Sequence, residues 1–184
     1  MTREQLEHIV RASGAITDEN IILVLGSQSI LGAFPDAPGS LCASREADVF
    51  PVNSPDKADL ISGAIGEISV FDGTFGYYAH GLPPEACPLP VGWETRLIAF
   101  KNENTRGVTA RCLHPLDLAA SKLAAGREKD IEFVAAMLAH SLIQRADLEM
   151  SIGLLPKAQD VSTARHKLVV VDARLRGQTA REDS

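Results

Sequence analysis

Leu6, Ile9 and Val10 recur at helical spacing behind Thr2 and Gln5, a pair that matches a capping box, so the chain is predicted to open with a helix ending near Gly14. The pattern then changes. Ile21-Ile22-Leu23-Val24-Leu25 is a short, unbroken apolar run containing β-branched residues, which suits a strand buried on both faces. Gly26 ends that run, and Ser27-Gln28-Ser29-Ile30-Leu31 reads as the start of a short helix, capped by a serine and stopped before Pro35. Ala47-Asp48-Val49-Phe50 is a second predicted strand, and beyond Asn53-Ser54-Pro55 a helix carries Ala58, Leu60, Ile61 and Ile65. Between Ser69 and Pro90 glycine, proline and aromatic residues accumulate, and Phe75-Gly76-Tyr77-Tyr78-Ala79 is the candidate strand there.

Arg96 to Phe100 and Gly107 to Leu113 are predicted to pair as strands through a turn at Asn102-Glu103-Asn104-Thr105. After His114-Pro115 the period becomes helical. Leu116, Leu118, Ala119 and Leu123 form one helix interrupted at Gly126, and Ile131, Phe133, Val134, Met137 and Leu138 form the next. Further helices are expected from Asp147 to Leu155 and from Asp160 to Leu175. The expected fold class is therefore α/β (α+β): an α/β core with a mixed sheet over residues 1–114, a helical part over 115–176 packed on it, and a flexible polar tail over 177–184.

Composition narrows the function. A chain of 184 residues with 45% hydrophobic content supports one core, with room for a small helical appendage. No apolar stretch approaches the roughly 20 residues that span a bilayer. The segment Met1-Thr2-Arg3-Glu4-Gln5 has no signal-peptide character, so a soluble, cytoplasmic protein without a membrane partner is expected. Cys42, Cys87 and Cys112 are odd in number and lack C-x-x-C spacing, which points to reduced thiols rather than a disulfide framework or a zinc site. The net charge of -6 argues against a surface that grips nucleic acid by charge alone. The five histidines have no H-x-x-x-H spacing, and no imidazole metal site is expected from them. Ser27, Ser29 and His80 lack the G-x-S-x-G elbow of a hydrolytic triad.

Two segments carry candidate chemistry. A glycine directly after a buried strand lets backbone approach a ligand, and a serine opening the next helix offers a hydroxyl and N–H groups to phosphate, so Gly26 and Ser27 are candidate phosphate ligands. The same strand, Gly-Ser and helix also suit an ordinary connection. Downstream, Glu46-Ala47-Asp48-Val49 alternates, so that Glu46 and Asp48 share one face of a strand. Like charges that converge are commonly compensated by a cation such as Mg²⁺ held against substrate phosphates, and the bland alternative is an edge strand with solvated acids. Arg45, beside the pair, is a candidate triphosphate contact or a partner for Glu46.

Gly26-Ser27 followed by the acid-x-acid strand resembles the h-G-[GS] and [DE]-h-[DE]-h signature of the nucleotidyltransferase superfamily. A second stretch, Asp117-Leu118-Ala119-Ala120-Ser121-Lys122-Leu123-Ala124-Ala125-Gly126-Arg127-Glu128-Lys129-Asp130, resembles the K-x-x-A-x-R-x-K-D segment of AbiEii-like toxin nucleotidyltransferases and related bacterial proteins of the DUF6036 type. Together the two segments extend the likeness over residues 20 to 140. The resemblance implies a nucleotidyltransferase-like mixed-sheet core and transfer of a nucleoside monophosphate from an NTP, with Mg²⁺ (or Mn²⁺) as cofactor. It implies Glu46 and Asp48 as metal ligands, and Gly26, Ser27, Lys122 and Arg127 as nucleotide contacts, alongside Arg45, which only its place beside the acids adds. It also implies catalytic roles for Asp48, Lys122 and Asp130. The acceptor would be an RNA, protein or small-molecule hydroxyl, in a toxin–antitoxin or phage-defence setting that supplies a cognate partner. The chain departs from polymerising relatives in two respects: its later strands carry no third acid, for which Asp130 is the candidate substitute, and Glu46 stands where Asp is more frequent. A non-catalytic member of the fold, acting as antitoxin or interaction module, is the rival expectation.

Overall fold

The capping box at Thr2 forms: the Thr2 hydroxyl accepts from the Gln5 backbone N–H while the Gln5 side chain accepts from that of Thr2, opening helix α1 (Arg3–Thr17). In the computed structural model, which describes residues 1–182, α1 runs past Gly14 and ends at Asp18, whose backbone is left-handed. Gly14 serves contact rather than termination, since a Cβ there would stand 2.6 Å from a Val108 methyl carbon. The stripe Leu6, Ile9 and Val10 is buried as its spacing predicts.

The described residues contain one mixed sheet of β1 (Ile21–Val24), β2 (Glu46–Pro51), β3 (Tyr78–Gly81), β4 (Ile98–Phe100) and β5 (Thr109–Cys112). The order is β3-β2-β1-β5-β4, with β1 antiparallel to β2 and parallel to β5, β3 parallel to β2, and β4 antiparallel to β5. Ile22, Val24, Ala47, Val49, Ala79, Ala110 and Cys112 are fully buried along one face. Helices α1, α2 (Ile30–Ala33) and α3 (Ala58–Ile65) pack on this sheet. Gly32 of α2 comes so near that a Cβ would lie 2.5 Å from Cys112 Cβ, and burial pushes the Cys112 thiol up to about 12.

Two local expectations shift. The strand expected from Phe75 begins instead at Tyr78, because Ser69 caps a helix α4 (Val70–Phe75) by accepting from the Asp72 N–H. Phe71 and Phe75 leave that helix to stack with His8 and Tyr77, and His8 Nδ1 lies 2.8 Å from the Tyr77 hydroxyl. Leu60, grouped with the apolar positions Ala58, Ile61 and Ile65 of that helix, is exposed on α3 while those three are buried.

The chain forms two compact units, one of residues 1–86 and 94–114, the other of 87–93 with the segment from Pro115 onward. In the second, α5 (Pro115–Ala125) packs against α6 (Glu128–Ala139), α7 (Arg145–Gly153) and α8 (Ala158–Glu182), burying Leu118, Leu123, Met137, Ile152 and Leu168. Helix α8 continues beyond Leu175 to Glu182, and Asp183 and Ser184, the end of the expected tail, lie outside the described residues. No helix among the described residues is long and apolar enough to cross a membrane.

Glu7 is a buried acid that the helical pattern does not announce. Its carboxylate accepts from Arg3 Nε at 2.9 Å, Asn102 Nδ2 at 2.7 Å and Asn104 Nδ2 at 2.8 Å, tying α1 to the β4–β5 turn. Burial alone would raise its pKa, but these hydrogen bonds outweigh burial and hold it below the usual glutamate value. Glu7→Ala strands three donors, so urea denaturation is expected to show a loss of about 2–4 kcal/mol. The folded carboxyl titrates low, so the contribution of Glu7 is complete above the ordinary glutamate value. It is lost as pH falls through the folded pKa, and the variant's stability profile should lack that acid limb.

Candidate functional site

Strand β1 hands the chain to Gly26, whose φ of 49° and ψ of -166° fall where glycine alone is comfortable. The Gly26 carbonyl accepts from the Ser29 N–H at 3.2 Å and the Ser29 hydroxyl at 2.8 Å. Ser27 makes no capping bond, so the expectation of a serine N-cap is corrected: Ser29 closes the turn from within. The helical stretch is a three-residue 3-10 turn, Ser27–Ser29, leading into the four-residue α2. That is too short for a substantial dipole, and what the turn offers an anion is backbone N–H and the half-buried Ser27 hydroxyl. Gln28 is buried below, its Nε2 donating to the Ser44 carbonyl at 3.3 Å while its Oε1 has no hydrogen-bond partner within the protein.

On β2 the alternation holds. Ala47, Val49 and Pro51 are buried, while Glu46, Asp48 and Phe50 are half-buried on the other face. The turn lies directly against Asp48: a Cβ on Gly26 would meet Asp48 Oδ2 at 2.0 Å. The Leu25 N–H donates to the Asp48 carbonyl at 2.8 Å, extending the β1–β2 ladder up to the turn.

The parallel pairing of β3 sets His80 opposite Asp48. His80 Nδ1 lies 3.4 Å from Asp48 Oδ1 and 3.7 Å from Glu46 Oε1, and one ligand atom from each of the three residues lies within 4.8 Å of the others. Two carboxylates and an imidazole converging this closely fit a divalent cation. Register also places Arg111 of β5 on the acid-bearing face, since Leu23 lies opposite both Phe50 and Arg111. His80 and Arg111 were not among the residues anticipated for the site. Arg45, offered as a phosphate contact or a partner for Glu46, donates to the Gly76 carbonyl at 2.7 Å and to Asp72 Oδ1 at 2.5 Å, joining the start of β2 to the end of α4.

In the helical unit, Lys122, Arg127 and Asp130 do come together. Gly126, with φ of 68°, ends α5 by donating its N–H to the Lys122 carbonyl at 2.9 Å, and α6 starts two residues later. The corner brings Asp130 in the first turn of α6 back onto Lys122 in the last turn of α5. Lys122 Nζ donates to Asp130 Oδ1 at 2.9 Å, and Arg127 Nε donates to Oδ2 at 2.6 Å. Asp130 and Lys122 are buried, Lys122 sits 4.5 Å over the Phe133 ring, and Arg127 is largely exposed. Burial alone would raise the Asp130 carboxyl, but the bonds from Arg127 and Lys122 prevail and hold it below the usual aspartate range. Burial draws the Lys122 ammonium below its ordinary value despite the attraction of Asp130.

A family described as nucleotidyltransferases of unknown function (DUF6036) matches residues 15–167, most of the chain and every residue of both clusters. The chain belongs to that family, and its mixed sheet flanked by helices is consistent with a nucleotidyltransferase-like fold. No curated protein and no solved structure matches it.

Asp130→Ala leaves a buried ammonium without its counterion, and chemical denaturation is expected to register a loss of about 3–5 kcal/mol. Because the folded Asp130 carboxyl titrates low, its support is complete above the ordinary aspartate value and disappears as pH falls through the folded pKa. A variant as stable as wild type across that range would contradict the buried pairing.

Proposed function

We propose that this member of the nucleotidyltransferase family moves a nucleoside monophosphate from an NTP to a hydroxyl acceptor, using Mg²⁺ or Mn²⁺ held by Glu46 and Asp48. The observation that carries the reading is the close approach of the Gly26 turn to Asp48, which shares a strand face with Glu46. Backbone suited to phosphate and carboxylates suited to a cation form one site, as a donor nucleotide with its counterion requires. The divalent ion, when bound, supplies charge neutralisation for the phosphoryl group under attack.

Gly26 and Ser27 hold the donor phosphates through backbone N–H and hydroxyl. Arg111, on the acid-bearing face, adds a fixed positive charge. The acceptor oxygen bonds to the α-phosphorus, the bond from that phosphorus to the α–β bridging oxygen breaks, and pyrophosphate leaves. The acceptor's proton passes to the Asp48 carboxylate. In the helical unit we assign phosphate contact to Lys122 and Arg127. Asp130 is a positioning residue there, because its two oxygens receive hydrogen bonds from those two cations. Arg45, engaged with Asp72, serves the nucleotide by holding the start of β2. The acceptor hydroxyl belongs to an RNA, a protein or a small molecule, and the setting is a toxin–antitoxin or phage-defence pair with a cognate partner.

One observation favours a second reading, that of a non-catalytic antitoxin or interaction module. Strands β4 and β5, Ile98-Ala99-Phe100 and Thr109-Ala110-Arg111-Cys112, carry no acid to join Glu46 and Asp48. The two readings separate on incubation with each labelled NTP, Mg²⁺ or Mn²⁺, total RNA and cell lysate. Transfer is expected with wild type and is expected to fall by about 100-fold or more in Asp48→Ala. Gly26→Ala, whose methyl displaces the Asp48 carboxylate, should lose both transfer and NTP-dependent thermal stabilisation. Absence of transfer and of any NTP-dependent thermal shift in wild type would overturn the catalytic reading, and a protein partner bound without nucleotide would establish the other.

A further inference from the structure

His80 stands beside the acid pair, and the reaction as proposed gives it no task. Its position is set by backbone rather than by a mobile loop. Parallel pairing fixes it across from Asp48, and strand alternation puts Glu46 on the same face. Donors that share one ion at about 2.1 Å stand about 3.0–3.4 Å apart, depending on whether the angle between them is octahedral or tetrahedral. The distances from His80 Nδ1 to the two carboxylates, 3.4 and 3.7 Å, are within a small side-chain rotation of that spacing. Asp48 Oδ2 lies so close to the Gly26 backbone that no side chain fits between them, which keeps the carboxylate at the turn.

We propose that His80 is the third protein ligand of the metal site, and that its nitrogen selects a first-row transition ion such as Mn²⁺ over Mg²⁺. This rests on the reading of Glu46 and Asp48 as metal ligands. Mg²⁺ demands oxygen donors and sheds water reluctantly, whereas imidazole is a good donor to first-row transition ions. A site of two carboxylates and one imidazole therefore ranks the two ions differently from a site of carboxylates alone. Three ligands from two neighbouring strands leave the remaining coordination positions for water or phosphate oxygens.

The test is metal binding by the full chain, free of nucleotide. Mn²⁺ and Mg²⁺ are titrated calorimetrically into wild type, His80→Ala, His80→Asp and Asp48→Asn, and the Mn²⁺-loaded proteins are examined by electron spin-echo spectroscopy for coupling to a ¹⁴N nucleus. Wild type is expected to bind Mn²⁺ more tightly than Mg²⁺ and to show the nitrogen coupling. His80→Ala should weaken Mn²⁺ by about tenfold or more, leave Mg²⁺ little changed and abolish the coupling. His80→Asp, an all-oxygen site on the same strand, should shift preference toward Mg²⁺, and thermal melts of each variant establish that it is folded. If both ions bind, are lost in Asp48→Asn and are indifferent to His80→Ala, the assignment of His80 is overturned while the acid pair keeps its role. If neither ion binds wild type, the metal reading of Glu46 and Asp48 fails, and the assignment of His80 with it.

Discussion

The site depends on one contact, the Gly26 backbone lying against the Asp48 carboxylate. No side chain fits between them, and the left-handed φ of Gly26 lets β1 turn away at that point without striking β2. The bond from the Leu25 N–H to the Asp48 carbonyl fixes how far along β2 the turn sits. Antiparallel pairing of β1 with β2 then brings the end of one strand beside the acids of the other. A shift of one residue in that pairing would turn Glu46 and Asp48 to the buried face and Ala47 and Val49 outward. The apolar positions that keep the sheet in register are thus also what aim the acids.

Much of this was readable along the chain because it is local. A capping box, an apolar run ended by glycine, and acids two apart on a strand all act within a few residues, and each appears where the spacing puts it. The serine cap did not, since Ser27 and Ser29 are chemically alike and only the turn decides which hydroxyl reaches the Gly26 carbonyl. His80 escaped for a different reason. Its value comes from cross-strand register with Asp48, and linear spacing among histidines carries no trace of it. Arg111 is the same case, placed on the acid-bearing face by pairing through β1. Glu7 was invisible because a glutamate on a helix is ordinarily solvated, and its partners Asn102 and Asn104 lie in a distant turn.

The charged stretch after Gly126 joins local and tertiary logic in another way. Lys122, Arg127 and Asp130, which the resemblance names together, meet around the glycine. What spacing did not convey is burial. Asp130 is fully buried and Lys122 nearly so, with its ammonium over the Phe133 ring, while Arg127 reaches solvent. A buried ion pair contributes little net stability but makes the loss of either member costly, so the pair fixes the α5–α6 corner more than it strengthens it. An exposed guanidinium anchored by a buried carboxylate is, in turn, a cation held in a defined place.

The enclosure of Cys112 gives the sheet an internal clock. With Gly32 against it and burial pushing its thiol up to about 12, Cys112 is a poor target for a labelling reagent while β5 stays in place. Cys42 and Cys87 are only half-buried, so the three thiols differ in how far the chain must open before each reacts. The rate at which Cys112 is captured therefore reports how often α2 and β5 come apart, a measure of opening written into the native sequence without any introduced probe.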